Sequence, residues 1–421
     1  MQTARGDRLH IGIFGRRNAG KSSLINAIVG HEVAIVSNVA GTTTDPVYKS
    51  FELQPIGPVV FIDTAGIDDE QAEVGAFRVK KAEKVLGKSD MVLLVCDVTA
   101  TSFRDEEALA TLFVEKKIPF IVVANKCDNA FSSEAKEWFS ARPFVRVSAL
   151  NKSGIAELKQ RVVEIAPADF EPPFVADLIR PGERVILVAP IDLGAPKGRL
   201  ILPQVKALRD ILDADAIPMM CKERELQTAL SALTSLPALV ITDSQVFPQV
   251  AADVPLSIPM TSFSILSIRQ KGDLKEMVEA VKAVDALRPG DKVLIAESCS
   301  HHPLEDDIGR VKIPRWLNEK VGGGLIVETV PGASFPDNLT EYKLVVHCGG
   351  CTLNRREMLR RQSVPMEWGV PMTNYGVLIS YLLGVFPRAL EPFDEIYRTF
   401  SNKKTDIDNK IRRASALFGE V

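Results

Sequence analysis

One short stretch constrains this chain more than any other. Gly15, Gly20, Lys21 and Ser22 fit G-x-x-x-x-G-K-[ST], and the stretch lies between an apolar run at residues 11–14 and a helix-compatible run at 23–29. In such a loop, spanning here Asn18, Ala19 and Ser23 as well, the glycines let backbone N–H groups curl around phosphates. Lys21 offsets the charge of the outer two phosphates, and the Ser22 hydroxyl ligates Mg²⁺. A loop of this kind needs a strand to end in it and a helix to start from it. Further β-rich runs at residues 59–62, 91–95, 119–124 and 144–147 alternate with helical stretches up to about residue 168. That alternation predicts an α/β fold, a P-loop NTPase domain with a doubly wound sheet.

Three later segments supply what a phosphate loop alone lacks. Asp63 follows the run at 59–62, which puts a carboxylate at a strand end where it can hold the metal through water, and Gly66, three residues on, can offer its N–H to a γ-phosphate. Asn125, Lys126 and Asp128 close another apolar run. An ionised Asp128 only accepts hydrogen bonds, and guanine presents two N–H donors on one edge, whereas adenine has no matching pair. Ser148 and Ala149, after the next run, would bring a backbone N–H to the guanine oxygen. Between Ser22 and Asp63 lies Gly41 to Asp45, where a threonine can reach Mg²⁺ when the γ-phosphate is present. These features together predict GTP and GDP as ligands.

In that order of motifs, residues 9–168 resemble the TrmE/Era branch of small GTPases. The resemblance implies that Thr43 senses Mg²⁺, that Lys21, Thr43 and Gly66 form the catalytic set, and that Asn18 helps to bind an activating K⁺. Ile67 stands where Ras-like enzymes carry a water-orienting glutamine, and an aliphatic side chain cannot orient water. Slow basal turnover, stimulated by K⁺, is the expectation.

At 421 residues the chain is long enough for roughly two to four domains. A proline-rich stretch at 166–173 cannot continue a helix and sets the first boundary. The expected division is a GTP-binding domain at 1–170, a linker at 171–183, and two smaller α/β domains with mainly parallel sheets at 184–264 and 265–421. Runs at 184–189, 202–212 and 237–242 define the second domain. The third holds a helical stretch at 274–287 and strands at 292–296, 325–328 and 344–347. A net charge of −3 argues against nucleic acid as the main partner. No apolar run approaches the roughly 20 residues that span a bilayer, so the expectation is a cytoplasmic protein without membrane contact.

Six cysteines are too few for a secreted disulfide framework. Three of them gather in the last domain with three of the five histidines: Cys299, His301 and His302 follow one predicted strand, and His347, Cys348 and Cys351 follow another. Parallel strands bring such segments to the same end of a sheet. Three thiolates with a histidine nearby suit Zn²⁺, or an iron–sulfur cluster with one replaceable position, and spacing does not choose between them. Cys96, Cys127 and Cys221 have no such company.

The pattern Cys-x-His, a gap of about 45 residues, then His-Cys-x-x-Cys resembles the [FeFe]-hydrogenase maturation GTPases over the full length. That resemblance implies a [4Fe–4S] cluster on Cys299, Cys348 and Cys351. It leaves His301 and His347 as exchangeable fourth ligand or neighbours of the cluster, with His302 and Glu305 as competitors. It further implies a homodimer with dimerisation at 184–264, and a scaffold that carries a transient 2Fe subcluster precursor to apo-[FeFe]-hydrogenase in company with the two radical-SAM maturases. The alternative is an Era- or TrmE-like GTPase acting on RNA or the ribosome, its metal site a structural zinc.

Overall fold

In the computed structural model the apolar run ahead of the phosphate loop is β1 (Leu9–Phe14), followed by β2 (Val47–Leu53), β3 (Gly57–Asp63), β4 (Met91–Asp97), β5 (Phe120–Asn125) and β6 (Val145–Arg146). The structure describes residues 5–30, 47–63, 83, 85–167, 172–190, 200–298, 307–332 and 335–400. The chain divides into two units, Met1–Glu171 and Pro172–Val421.

In the first unit the strand order is β2-β3-β1-β4-β5-β6. All neighbours are parallel except β2, which runs antiparallel to β3 at the edge. Successive side chains of a strand point to opposite faces, and the core divides accordingly. Ile11, Ile13, Leu93 and Val95 pack on one face with the helices Lys21–Val29 and Ile155–Ile165. Phe14, Val92, Leu94 and Cys96 pack on the other with Arg104–Glu115 and Ser133–Ser140. Helices on both faces make the expected doubly wound sheet. The edge strand β2 has no counterpart in the sequence reading, because Lys49, Ser50 and Glu52 interrupt its apolar residues. Its inward side chains, Phe51 and Leu53, are buried, and Phe51 stacks on Phe61 with centroids 5.0 Å apart. Burying a phenylalanine of this kind contributes about 1.5–3 kcal/mol.

The second unit holds two parallel four-stranded sheets. One comprises β7 (Arg184–Val188), β8 (Ile217–Cys221), β9 (Leu239–Thr242) and β10 (Met260–Ser262), in the order β10-β9-β7-β8. The other comprises β11 (Lys292–Glu297), β12 (Ile326–Pro331), β13 (Tyr342–His347) and β14 (Met372–Asn374), in the order β12-β11-β13-β14. Both contribute to one continuous core. The helix Phe263–Lys271 lies within it, with Phe263, Ile265, Leu266 and Ile268 all buried, as a helix lacking a polar stripe must. Pro218 is tolerated in β8 because that strand is an edge, where a missing N–H breaks no ladder. The helical stretch expected at 274–287 is α-helical over Leu274–Ala280 and tightens to a 3₁₀ turn over Val281–Ala286. Among the described residues, no helix is long and apolar enough to cross a membrane.

Candidate functional site

At the phosphate loop, backbone conformation explains the glycines. Gly15 has φ +142°, and a Cβ there would fall 2.1 Å from Val95 O; Gly20 has φ +91°, and its Cβ would fall 2.3 Å from Asn125 Nδ2. No L side chain fits either place. Asn18 also takes a left-handed conformation, φ 62°, which asparagine tolerates better than most residues. Lys21 is buried, and its Nζ donates to Gly15 O at 2.7 Å and Arg16 O at 3.0 Å. These bonds stretch the side chain across the curl of its own loop. Ser22 Oγ donates to Asp63 Oδ2 at 3.0 Å. Register makes this possible, since Ile13 on β1 lies opposite Asp63 on β3. A hydroxyl and a carboxylate that meet beside a phosphate loop form the oxygen pair a Mg²⁺ ion needs. Ala19 is buried and Ser23 exposed, facing away on the first helical turn. Thr43, Gly66 and Ile67, with the rest of the expected switch, lie outside the described residues.

The segment expected to read the base is tied to the phosphate loop by one side chain. Asn125, 1% exposed at the end of β5, donates from Nδ2 to Ala19 O at 2.8 Å and accepts at Oδ1 from Ala149 N at 3.1 Å. It thereby joins three loops that are distant in sequence. The Ala149 N–H therefore has a protein partner in this structure. Asp128 is exposed; its carboxylate accepts from Ser148 Oγ and from Asn129 Nδ2, which orients it at the rim. Lys126, at φ 65°, donates to Asp97 Oδ2 at 2.6 Å. Burial would raise the Asp97 carboxyl, but hydrogen bonds from Lys126 and Thr99 outweigh it and hold it below the usual carboxylate range. Asp97 is a site residue that the sequence reading did not name. Its signal is its place at the end of β4, opposite Asn125 in register. A groove of about 1020 Å³ opens at the other end of this sheet, where β5 and β6 begin; Phe120, Phe144 and Val145 line it, and none of the motif residues does.

In the second unit the cysteine motif also sits at strand ends. Ala296 on β11 lies opposite His347, the last residue of β13, and Cys348 N donates to Ala296 O at 3.0 Å. The chain leaving β11 returns the contact: Ser298 N approaches Cys348 Sγ at 3.2 Å and Ser298 Oγ lies 3.1 Å from the same sulfur. Burial alone would raise the Cys348 thiol. The hydrogen bonds from Ser298 act against it and favour the thiolate. Three residues on, Cys351 is exposed in the turn that Gly350 permits at φ +59°. Cys299, His301, His302 and Glu305 lie outside the described residues, and no group of three ligating side chains occurs among those described.

His347 is fully buried with both ring nitrogens engaged. Nδ1 lies 2.6 Å from Cys348 O, and Nε2 lies 2.8 Å from Arg361 Nε. A guanidinium only donates, so Nε2 is the acceptor and the ring proton sits on Nδ1, bonded to the carbonyl. Neither nitrogen has a lone pair left over in this arrangement. Arg361 is itself 1% exposed, donates from Nη1 to Gly332 O at 3.0 Å and lies over the Phe335 ring. Nothing in the sequence marks it out among the arginines of its helix. Cys221, on β8, is half-buried; burial, with Glu225 and Glu223 close by, pushes its thiol up to about 11.

Against known families, residues 174–272 match the hydrogen maturase F dimerization domain, residues 275–392 the hydrogen maturase F tetramerization domain, and residues 10–126 the 50S ribosome-binding GTPase domain. GTPase Der of Wolinella succinogenes is 36% identical over 168 residues, which cover 37% of this chain and 36% of that protein. The tRNA modification GTPase MnmE of Pseudomonas syringae is 38% identical over 151 residues, 35% of this chain and 33% of that one. The chain thus spans about a third of the length of these curated relatives. Among solved structures, the G domain of the Thermotoga maritima (T. maritima) FeoB iron transporter aligns with 38% of this chain and 99% of its own, at 26% identity and a TM-score of 0.29.

Proposed function

This chain belongs to the hydrogen maturase F family, whose dimerization and tetramerization domains it carries in succession after a GTPase domain, and from that premise we propose that it is a GTP-hydrolysing scaffold for [FeFe]-hydrogenase maturation. In this reading the first unit binds GTP with Mg²⁺ at Lys21, Ser22 and Asp63, reads guanine through Asp128, and hydrolyses the nucleotide with K⁺ held near Asn18. The second unit holds a [4Fe–4S] cluster on Cys299, Cys348 and Cys351. It self-associates through residues 174–392, as the names of the two matching domains suggest, and passes a 2Fe precursor to apo-hydrogenase after receiving it from the partner maturases.

The observation that carries the cluster assignment is the seat of Cys348. Its sulfur is already hydrogen-bonded by Ser298, the residue that precedes Cys299 in the chain, and those bonds favour the thiolate. Metal-binding sulfur must be deprotonated, so the donor set fits the group. A cluster with three cysteine ligands leaves one iron able to take an exogenous ligand. With both its nitrogens occupied by Cys348 O and Arg361, His347 serves to orient Cys348, and the fourth position falls to another group. The RNA- or ribosome-directed reading has less support, because the matches to Der and MnmE stop at the GTPase domain.

The test is iron, sulfide and zinc content with EPR of the anaerobically reconstituted, reduced protein, beside a Cys348→Ala, Cys351→Ala double variant. About four iron and four sulfide per chain, the stoichiometry of a [4Fe–4S] cluster, lost in the double variant, is the expected result. Stoichiometric zinc without iron uptake overturns the reading.

A further inference from the structure

Tyr375 opens the helix Tyr375–Leu382 directly after β14, and its phenol oxygen is enclosed without a hydrogen-bond partner among the described residues. A buried hydroxyl left unpaired destabilises the fold. The fold nevertheless makes room for this one. A methyl group on Gly309 would come within 2.1 Å of the phenol oxygen and within 3.0 Å of Glu297 Oε1, so the hydroxyl and the last carboxylate of β11 converge on a position that only glycine leaves open. Gly309 is buried in a π-helical turn, Ile308–Lys312, a rare element concentrated at functional positions. Glu297 has its own partner, Arg310 Nη2 at 2.9 Å.

Burial first, then the negative charges of Cys348, Glu297 and Asp307, push the Tyr375 phenol far above its ordinary range. It keeps its proton and acts as a donor. The residue before it repeats the pattern: Asn374, fully buried and opposite His347 in register, caps the helix through Oδ1 while its Nδ2 has no acceptor among the described residues. Two consecutive residues at the end of β14 thus hold unused donors, on the strand next to the one that leads to Cys348.

We infer that the Tyr375 hydroxyl donates a hydrogen bond to a sulfur of the iron–sulfur group held at Cys348 and thereby sets its reduction potential. The inference rests on the cluster reading above. Cluster sulfides and ligating thiolates are the acceptors such a site supplies, and hydrogen bonds to them stabilise the reduced, more negative state. Tyr375 is a tuning residue here, not a ligand.

The experiment uses the full chain with Tyr375→Phe and with Gly309→Ala, each reconstituted anaerobically with ferrous iron and sulfide beside the parent, with metal content measured and an EPR-monitored redox titration run. Equal iron and sulfide in all three, with the midpoint potential moved to more negative values in Tyr375→Phe and in the same direction in Gly309→Ala, is expected. The metal-free Tyr375→Phe protein should melt no lower than the parent, because no intramolecular bond is lost. Equal potentials at equal iron content overturn the inference and leave the cluster reading standing, whereas a parent that takes up no iron overturns both. A metal-free Tyr375→Phe protein that melts lower than the parent also overturns it, since the hydroxyl would then be serving the fold.

Discussion

Replacing Asn125 with alanine separates two roles that a guanine-reading motif confounds. The side chain bonds to protein atoms at both ends, Ala19 O and Ala149 N, so its loss should damage the first unit even without nucleotide. Ala19 is 2% exposed and its carbonyl loses a buried donor; the Ala149 N–H is only half-buried and water can partly replace its acceptor. At about 1–3 kcal/mol for each group left unmade, weighted to the upper part for Ala19 and the lower for Ala149, the sum is about 3 kcal/mol. For a unit of this size 1 kcal/mol shifts Tm by about 2–4 °C, so the nucleotide-free variant should melt roughly 6–12 °C lower by circular dichroism. Asp128→Ala is the control. Asp128 is exposed and its partners are rim groups, so its removal should change stability by no more than about 0.5 kcal/mol and leave Tm within about 1–2 °C of the parent. It should still weaken binding of fluorescent GDP by about 100-fold or more, through the loss of two charge-assisted hydrogen bonds at about 1.5–3 kcal/mol each. Equal melting of Asn125→Ala and parent, or an equal drop in both variants, would refute the reasoning that Asn125 is a strut and Asp128 a reader.

Gly15→Ala places a methyl group 2.1 Å from Val95 O at a φ of +142°, so the loop must shift and GDP binding by isothermal titration should be lost, with a lowered Tm as well. Iodoacetamide labelling of Cys348 in the metal-free protein, followed by site-resolved mass spectrometry, should show a pH midpoint held down by the hydrogen bonds from Ser298. The thiolate is the reactive form, so the rate rises with pH; Ser298→Ala removes one donor and should move that midpoint upward. Arg361→Met leaves His347 Nε2 and Gly332 O without their donor, a loss of about 2–6 kcal/mol by the same accounting, read as a lower melting temperature of the second unit.

The motifs that carry chemistry were legible because each occupies a junction between strand and loop, where a run of apolar residues gives way to a few polar ones. Ser22 and Asp63, or Ser298 and Cys348, meet because parallel strands deliver their carboxyl ends to one side, and that follows from the alternation of the sequence alone. Four strands escaped it: β8, whose apolar run carries Pro218, and three without a long apolar run. β2 alternates polar with apolar residues at an edge, while β10 and β14 are three residues long and take their burial from neighbours. The positioning side chains were not legible, since a buried polar residue is defined by partners far away in sequence. Asn125 is 106 residues from the loop it supports.

The helix Arg355–Glu367 shows how far this limit reaches. By composition it is a basic surface helix, with arginines at 355, 356, 360 and 361 and a proline near its end. Arg360 lies half-exposed and pairs with the buried Glu357 at 2.9 Å on the same helix. Arg361, its immediate neighbour and chemically identical, is 1% exposed and fixes the tautomer of the histidine beside Cys348. One residue is a rotation of about 100° on a helix, and that rotation is set by which face packs against the sheet, a choice made by Met358, Gln362 and Pro365, which are buried alongside Arg361. A buried guanidinium persists only where its donors are met, and here they are met by His347 Nε2 and Gly332 O, at the carboxyl ends of β13 and β12. The arginine that holds the histidine beside Cys348 is therefore selected by the packing of a helix against a sheet, which no local spacing of charges reveals.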